Sequence, residues 1–182
     1  MKKYLPALLL LMATPAFAHP GHGLLTFNDG FLHPLTGIDH LLMLSAVGIL
    51  SANRAHPLRF TGFALVAMFI GALIGHLYGD FTGMEQLINF SVFAASGVIL
   101  CAAQSRTVWL VPLLLSVHGW AHGVEGSTGD AFYLFTAGFL LASGTVLLLG
   151  HYLGKLAYRH SMLRKVIGTG WIAAMTLNLL SV

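Results

Sequence analysis

Two short polar motifs interrupt a chain that is otherwise almost wholly apolar. One is H-P-L-T-G-I-D-H, His33 to His40, and the other is H-G-W-A-H-G-V-E, His118 to Glu125. Imidazoles and carboxylates are expensive in hydrocarbon and are usually kept there for function. Together they form a borderline ligand set, which suits Ni²⁺, Co²⁺, Zn²⁺, Cu²⁺ or Fe²⁺ better than Mg²⁺ or Ca²⁺. We therefore predict one metal site with the ligands His33, Asp39, His40, His118, His122 and Glu125.

The second motif has the spacing of ligands on one helix face. His118 and His122 are four residues apart, so on a continuous helix their imidazoles lie one above the other, and Glu125 stays close to that face. Near neutral pH these imidazoles are mostly uncharged and able to bind a metal ion. Binding should therefore weaken as the pH falls.

The first motif requires an irregular backbone to bring all its ligands together. His33 and His40 are two helical turns apart and share a side, but Asp39 is rotated away from His40 by about 100° on a regular helix. Pro34 and Gly37 make an irregular start plausible, and a bend there would bring Asp39 round. Non-helical backbone is tolerated at membrane depth where it lines a cavity.

The composition is that of an all-α, polytopic membrane protein. Of the 182 residues, 57% are hydrophobic and only 8% charged, whereas a soluble domain carries about 25% charged residues. The pI of about 9.3 reflects an excess of Lys and Arg that normally sets membrane orientation and does not imply a nucleic-acid partner. The single cysteine, Cys101, excludes an internal disulfide and a thiolate cluster.

The N-terminus is typical of a secretory signal peptide, which we predict at residues 1–18. It has two lysines, an apolar run over residues 5–12 and an A-x-A sequence ending at Ala18. An uncleaved first helix is the alternative, but the run is shorter than the roughly 20 residues of a span. Cleavage would place His19 and His22 at the outer surface, where they could collect a divalent cation or form part of a solvated tail.

Residues 19–182 are predicted to form a single domain of six transmembrane helices, because six apolar runs have spanning length. The predicted spans are Phe31–Leu50, Pro57–Tyr78, Met84–Ala103, Val108–Gly123, Ala131–Leu153 and Met162–Ser181. Glycines four residues apart should let these helices approach closely. They are the pairs Gly71 and Gly75, Gly119 and Gly123, and Gly150 and Gly154.

The loop charges predict the orientation. With the mature N-terminus outside, the cytoplasmic loops are 51–56, 104–107 and 154–161, and these loops with the adjoining helix ends hold all the Lys and Arg of the mature chain. The outer loops, 79–83 and 124–130, hold none. Both motifs then fall near the outer face, where His76 and Glu85 are additional candidate ligands.

The two motifs resemble those of the HupE/UreJ family of bacterial metal permeases, and the resemblance covers essentially the whole chain. It implies a six-span inner-membrane protein that takes up nickel, in some members cobalt, for hydrogenase or urease maturation. It also implies functional roles for His33, Asp39 and His40 in the first span and for His118, His122 and Glu125 in the fourth. Glu85 is placed by topology and not by a motif.

We therefore predict a secondary permease that is not an enzyme. The chain lacks G-x-x-x-x-G-K-[ST], so it does not hydrolyse ATP by itself. It needs no prosthetic group, since Ni²⁺, Co²⁺ or Zn²⁺ is the cargo. Its expected partners are the metal ion and the lipid bilayer. A homo-oligomer is left open, and downstream nickel chaperones are not readable from the sequence.

Two alternative functions and one symmetry of the fold are also consistent with the sequence. An intramembrane metallohydrolase would use the same ligands, although H-E-x-x-H and G-x-S-x-G are absent. A metal-sensing or assembly subunit would bind metal without transporting it. Because the first and fourth spans carry related motifs and run in opposite directions, they also suggest an inverted repeat of three plus three helices.

Overall fold

The computed structural model describes residues 26–126 and 129–180, and every regular element in these ranges is helical. The predicted signal peptide, His19 and His22 lie outside them. The α-helices of the described part are α1 Phe27–Thr36, α2 Ile38–Ser51, α3 Pro57–Tyr78, α4 Met84–Cys101, α5 Leu110–Glu125, α6 Asp130–Arg159 and α7 Ser161–Leu180. A 3₁₀ turn, Arg106–Trp109, leads into α5. The predicted all-α class is confirmed.

The first predicted span, Phe31–Leu50, consists of two helices separated by a break. It begins earlier, where the Thr26 hydroxyl and the Asp29 carboxylate form a capping box at the start of α1. It then breaks at Gly37, whose backbone is extended, and α2 leaves α1 at an angle of 81°. The disturbance expected from Pro34 and Gly37 is thus confirmed.

Glycine lets α3 and α5 pack backbone against backbone. A Cβ on Gly119 or Gly123 of α5 would collide with the carbonyl oxygens of Met68 or Ala72 in α3. Close approach of this kind stabilises helix pairs where lipid offers no hydrophobic driving force. The other predicted glycine pairs pack in the same way. Gly71 and Gly75 of α3 lie against the backbone of α5, and Gly150 and Gly154 of α6 lie against the backbone of α2.

The protein is a multi-pass membrane protein. In the described part of the chain α3, α4, α6, and α5 with its 3₁₀ turn are each long and apolar enough to cross a membrane. The bent pair of α1 and α2 forms a fifth span if its two helices cross together. The last helix, α7, has 20 residues but is less apolar than these four. Large apolar side chains such as Leu58 and Leu77 face outwards, as lipid contact requires.

Basic side chains join the loops at one end of the bundle. Arg54 donates a hydrogen bond to the carbonyl oxygen of Ala103 at 2.6 Å, and Arg164 donates to that of Ile99 at 2.7 Å. Ile99 lies in the last turn of α4 and Ala103 lies just beyond its C-terminal end, where backbone acceptors lack helical partners and cations are favoured. The loops predicted to be cytoplasmic therefore lie at the same end.

Candidate metal site

The structure brings all six ligands predicted from the two motifs together, in two groups of three. In each group one potential ligand atom per residue lies within 4.8 Å of the others. We call His33, His122 and Glu125 the rim triad, and Asp39, His40 and His118 the buried triad. Each triad combines two imidazoles with one carboxylate, and each takes residues from both motifs.

The break at Gly37 divides the first motif between the two triads. His33 lies on α1, whereas Asp39 and His40 lie in the first turn of α2. The Asp39 carboxylate turns back towards its neighbour, so that its Oδ1 lies 3.0 Å from Nδ1 of His40. A Cβ at Gly37 would lie 3.0 Å from that nitrogen and 3.1 Å from that oxygen. Glycine therefore leaves room for the pair.

The residues of the second motif lie on two faces of α5, one that packs against α3 and one that contacts the first motif. In each H-G pair the glycine, Gly119 or Gly123, packs against the backbone of α3. The preceding residues, His118 and His122, lie on the adjacent side of α5 and contact the first motif. Close packing on α3 thus fixes the direction in which both imidazoles point.

The two triads form one continuous cluster. The His40 ring lies 4.5 Å from that of His122 and 4.9 Å from that of His118, measured between ring centroids. The His33 ring lies 4.5 Å from that of His122, and His33 Nε2 lies 3.2 Å from a Glu125 carboxylate oxygen. A bound ion could therefore exchange ligands between neighbouring triads over short distances.

Each triad combines partly exposed and buried ligands, and the rim triad is the more exposed. In the rim triad the side chain of Glu125 is 40% exposed and that of His33 27%, and His122 is buried; in the buried triad Asp39 is 24% exposed and His40 10%, and His118 is buried. The aromatic ring of Phe139 on α6 lies 4.8 Å from the His122 ring, and Phe135 lies close to both His33 and His122. These apolar side chains limit access of water to the cluster.

Several buried ring nitrogens in the cluster have no hydrogen-bond partner among the residues that the structure describes: His40 Nε2, His118 Nδ1 and both nitrogens of His122. Burying such groups without a partner is unfavourable. A divalent cation would satisfy one nitrogen of each ring, because a neutral imidazole binds metal through its single nitrogen lone pair. The donor set therefore fits a transition-metal ion.

The structure does not bring the other two described candidates into either triad. The His76 ring stacks on Phe132 with 4.0 Å between ring centroids, and Glu85 is an exposed residue in the first turn of α4. Their roles in metal binding stay predictions. One contact was not predicted: Ser91 of α4 lies 2.8 Å from His118. A serine in an apolar helix carries no local signal of such a contact.

These observations define the class of the molecule as a multi-pass helical membrane protein whose interior brings together His, Asp and Glu side chains that could hold a metal ion. The chain belongs to the HupE/UreJ family, since residues 7–179 match the family described as HupE / UreJ protein. The resemblance seen in the two motifs is confirmed. This is a transporter family and is linked to nickel and cobalt.

A curated relative supports this assignment. The chain is similar to Protein HupE of Rhizobium leguminosarum bv. viciae, with 26% identity over 159 residues and 82% of each chain covered. No solved structure gave a significant match.

Proposed function

We propose that the protein is a secondary permease that takes up Ni²⁺, or alternatively Co²⁺, across the bacterial inner membrane for hydrogenase or urease maturation. The observation that carries the proposal is the meeting of two triads of borderline metal ligands inside a membrane bundle. Membership of a family linked to nickel and cobalt transport favours these ions among those that the ligands suit.

The rim triad is the entry point. Glu125 and His33 are partly exposed, so a hydrated cation can reach them while it keeps most of its water. The carboxylate attracts the ion, and the imidazoles replace part of its hydration shell. Three ligand atoms leave coordination positions for water, and dehydration can therefore proceed in steps.

The buried triad receives the ion next. The adjacent rings of His40 and His122 allow one new protein ligand to bind before an old one is released. The Asp39 carboxylate offsets part of the ion's charge, which would otherwise face a large desolvation penalty. Two neighbouring sites of similar chemistry also favour release, because conduction requires that no single site hold the ion too tightly.

The path beyond the buried triad is closed in this conformation. Fully buried apolar side chains fill the bundle between that triad and its basic end, among them Met43, Val47 and Leu115. An ion cannot cross this layer without rearrangement of the helices. Alternating access, in which helices move around a central site, provides such a route.

The proposed orientation places the mature N-terminus in the periplasm and the rim triad near the outer face. The clustering of Arg54 and Arg164 at the opposite end supports it, because basic residues favour the cytoplasmic side. In this arrangement residues 1–18 are a cleaved signal peptide, and α7 is the sixth span of a single domain that covers residues 19–182.

The helix contacts support an inverted repeat of three plus three spans. The bent pair of α1 and α2 would correspond to α5, α3 to α6, and α4 to α7. The close α2–α6 contact becomes the α5–α3 contact when the halves are exchanged, and both are lined by glycine. The pseudo-twofold axis would then pass between the two motifs. An experimental structure whose halves fail to superpose would rule the repeat out.

Uptake of ⁶³Ni²⁺ by cells tests the proposal. Cells that express Asp39→Ala or His40→Ala should lose most of the uptake seen with the natural chain at equal membrane abundance. His160→Ala is the control, because this histidine is exposed and lies between α6 and α7, away from both triads. Natural uptake by both triad variants would contradict the proposal.

Metal retention distinguishes a permease from a metallohydrolase or a sensing subunit. A permease should exchange bound Ni²⁺ within the time of its transport cycle, whereas a metallohydrolase should retain a stoichiometric ion through purification. A sensing or assembly subunit should bind Ni²⁺ but give no flux in proteoliposomes.

A further inference from the structure

We propose that Ser91 is a positioning residue for the metal site: it fixes the proton of His118 on Nε2 and so leaves Nδ1 as the metal-binding atom. This inference rests on the proposed function, in which the buried triad binds the transported ion. It assigns to α4 a part in a site whose six ligands come from α1, α2 and α5.

The direction of the hydrogen bond follows from the contacts of the Ser91 hydroxyl. Ser91 Oγ lies 2.6 Å from the carbonyl oxygen of Ile88, which can only accept a hydrogen bond. The single hydroxyl proton is therefore donated to Ile88. The same oxygen lies 2.8 Å from His118 Nε2, so here it must accept, and Nε2 must carry the proton.

The tautomer then determines which nitrogen can bind a metal. A neutral imidazole has one protonated nitrogen and one lone pair, and the lone pair of His118 is consequently on Nδ1. This atom is buried, and no described residue forms a hydrogen bond with it. The ring that carries it lies 4.9 Å from the ring of His40, which belongs to the same triad.

Burial strengthens the control of the His118 tautomer by the hydrogen bond to Ser91. Ser91 and His118 are both fully buried, so water competes poorly for the imidazole N–H. Outer partners of this type fix the tautomer and ring orientation of metal-binding histidines, and their loss typically weakens metal affinity about 10- to 100-fold. We expect the Ser91 contact to act in the same way.

The chain offers a matched control on the same helix. Ser96 is also fully buried, and its hydroxyl donates to the carbonyl oxygen of Val92 at 2.8 Å, but among the described residues no imidazole bonds to it. Ser91→Ala and Ser96→Ala each remove a buried hydroxyl and one bond to the backbone. Only Ser91→Ala removes a hydrogen bond to His118.

Two measurements test the proposal on purified protein. Histidine-selective ¹⁵N NMR of the metal-free protein, with His118 assigned by comparison with His118→Gln, should show Nε2–H in the natural chain and a tautomer mixture in Ser91→Ala. Titration with Ni²⁺ should give about 10-fold or greater loss of affinity for Ser91→Ala. Ser96→Ala should stay within about twofold, and Ser91→Thr, which keeps the hydroxyl, should restore most of the affinity.

The two measurements separate the possible failures. An Nδ1–H tautomer in the natural chain, or equal affinity losses for the two alanine variants, would overturn the role of Ser91. Absence of Ni²⁺ binding by the natural chain would instead refute the proposed function, and the NMR spectrum would still determine the tautomer. If Ser91→Ala does not fold, the spectrum of the natural chain and the titration of Ser91→Thr decide whether Ser91 has this role.

Discussion

Asp39→Asn should weaken Ni²⁺ binding much more than Glu125→Gln. Each substitution replaces a carboxylate by an amide of the same shape and removes one negative charge from one triad. The Asp39 side chain is 24% exposed and lies 3.0 Å from the buried His40, whereas that of Glu125 is 40% exposed. Water can therefore replace the lost ligand more readily at Glu125 than at Asp39.

The magnitude follows from what each carboxylate does. Loss of an outer partner alone weakens metal binding about 10- to 100-fold, so loss of a charged ligand from the buried triad should exceed about 100-fold. That corresponds to more than about 2.8 kcal/mol, since each tenfold change is about 1.4 kcal/mol. For Glu125→Gln we expect about 10-fold, because water takes over part of the coordination.

Isothermal titration of Ni²⁺ into purified protein at neutral pH and fixed ionic strength measures both values. Helix content by circular dichroism shows whether each variant is folded, and His160→Ala serves as the unperturbed reference. Equal losses for the two variants, or an Asp39→Asn affinity within about threefold of the natural one, would refute the assignment of Asp39 as a ligand of the buried triad.

The remaining predictions concern pH and packing. Ni²⁺ affinity should fall as the pH drops from 7 to about 5, because protons then compete for imidazole nitrogens; titration at constant ionic strength checks this, and a flat profile would argue against histidine ligands. Gly119→Ala should lower the melting temperature by forcing α5 away from α3, whereas Gly97→Ala, whose added Cβ meets nothing within 4 Å, should not; a thermal-shift assay in detergent decides. Gly37→Ala should weaken Ni²⁺ binding by displacing Asp39 and His40 without comparable loss of stability, and unchanged affinity would show that the break tolerates a side chain.

Much of the candidate site could be predicted because the ligands within each motif are close in sequence. The i, i+4 spacing of His118 and His122 predicts both imidazoles on one face, and in the structure both rings lie against the ring of His40. The irregularity at Gly37 was also predictable, since Pro and Gly disturb helices. Its angle of 81° was not, and this angle divides the expected single site into two triads.

The residues that surround the site could not be predicted. Ser91, Phe135 and Phe139 reach the imidazoles from α4 and α6, and such contacts depend on how distant helices pack. Serine and phenylalanine are also ordinary residues of apolar helices. The glycine pairs were a stronger signal, because close backbone approach tolerates few other residues.

Flux of ⁶³Ni²⁺ into proteoliposomes that contain only the purified chain tests the central claim most directly. We predict uptake that saturates with Ni²⁺ concentration in the natural chain and is nearly abolished in both His40→Ala and His122→Ala, the variants at the junction of the two triads. Saturable uptake at the natural rate by both variants would contradict passage of the ion through the triads, and binding without flux in the natural chain would contradict transport.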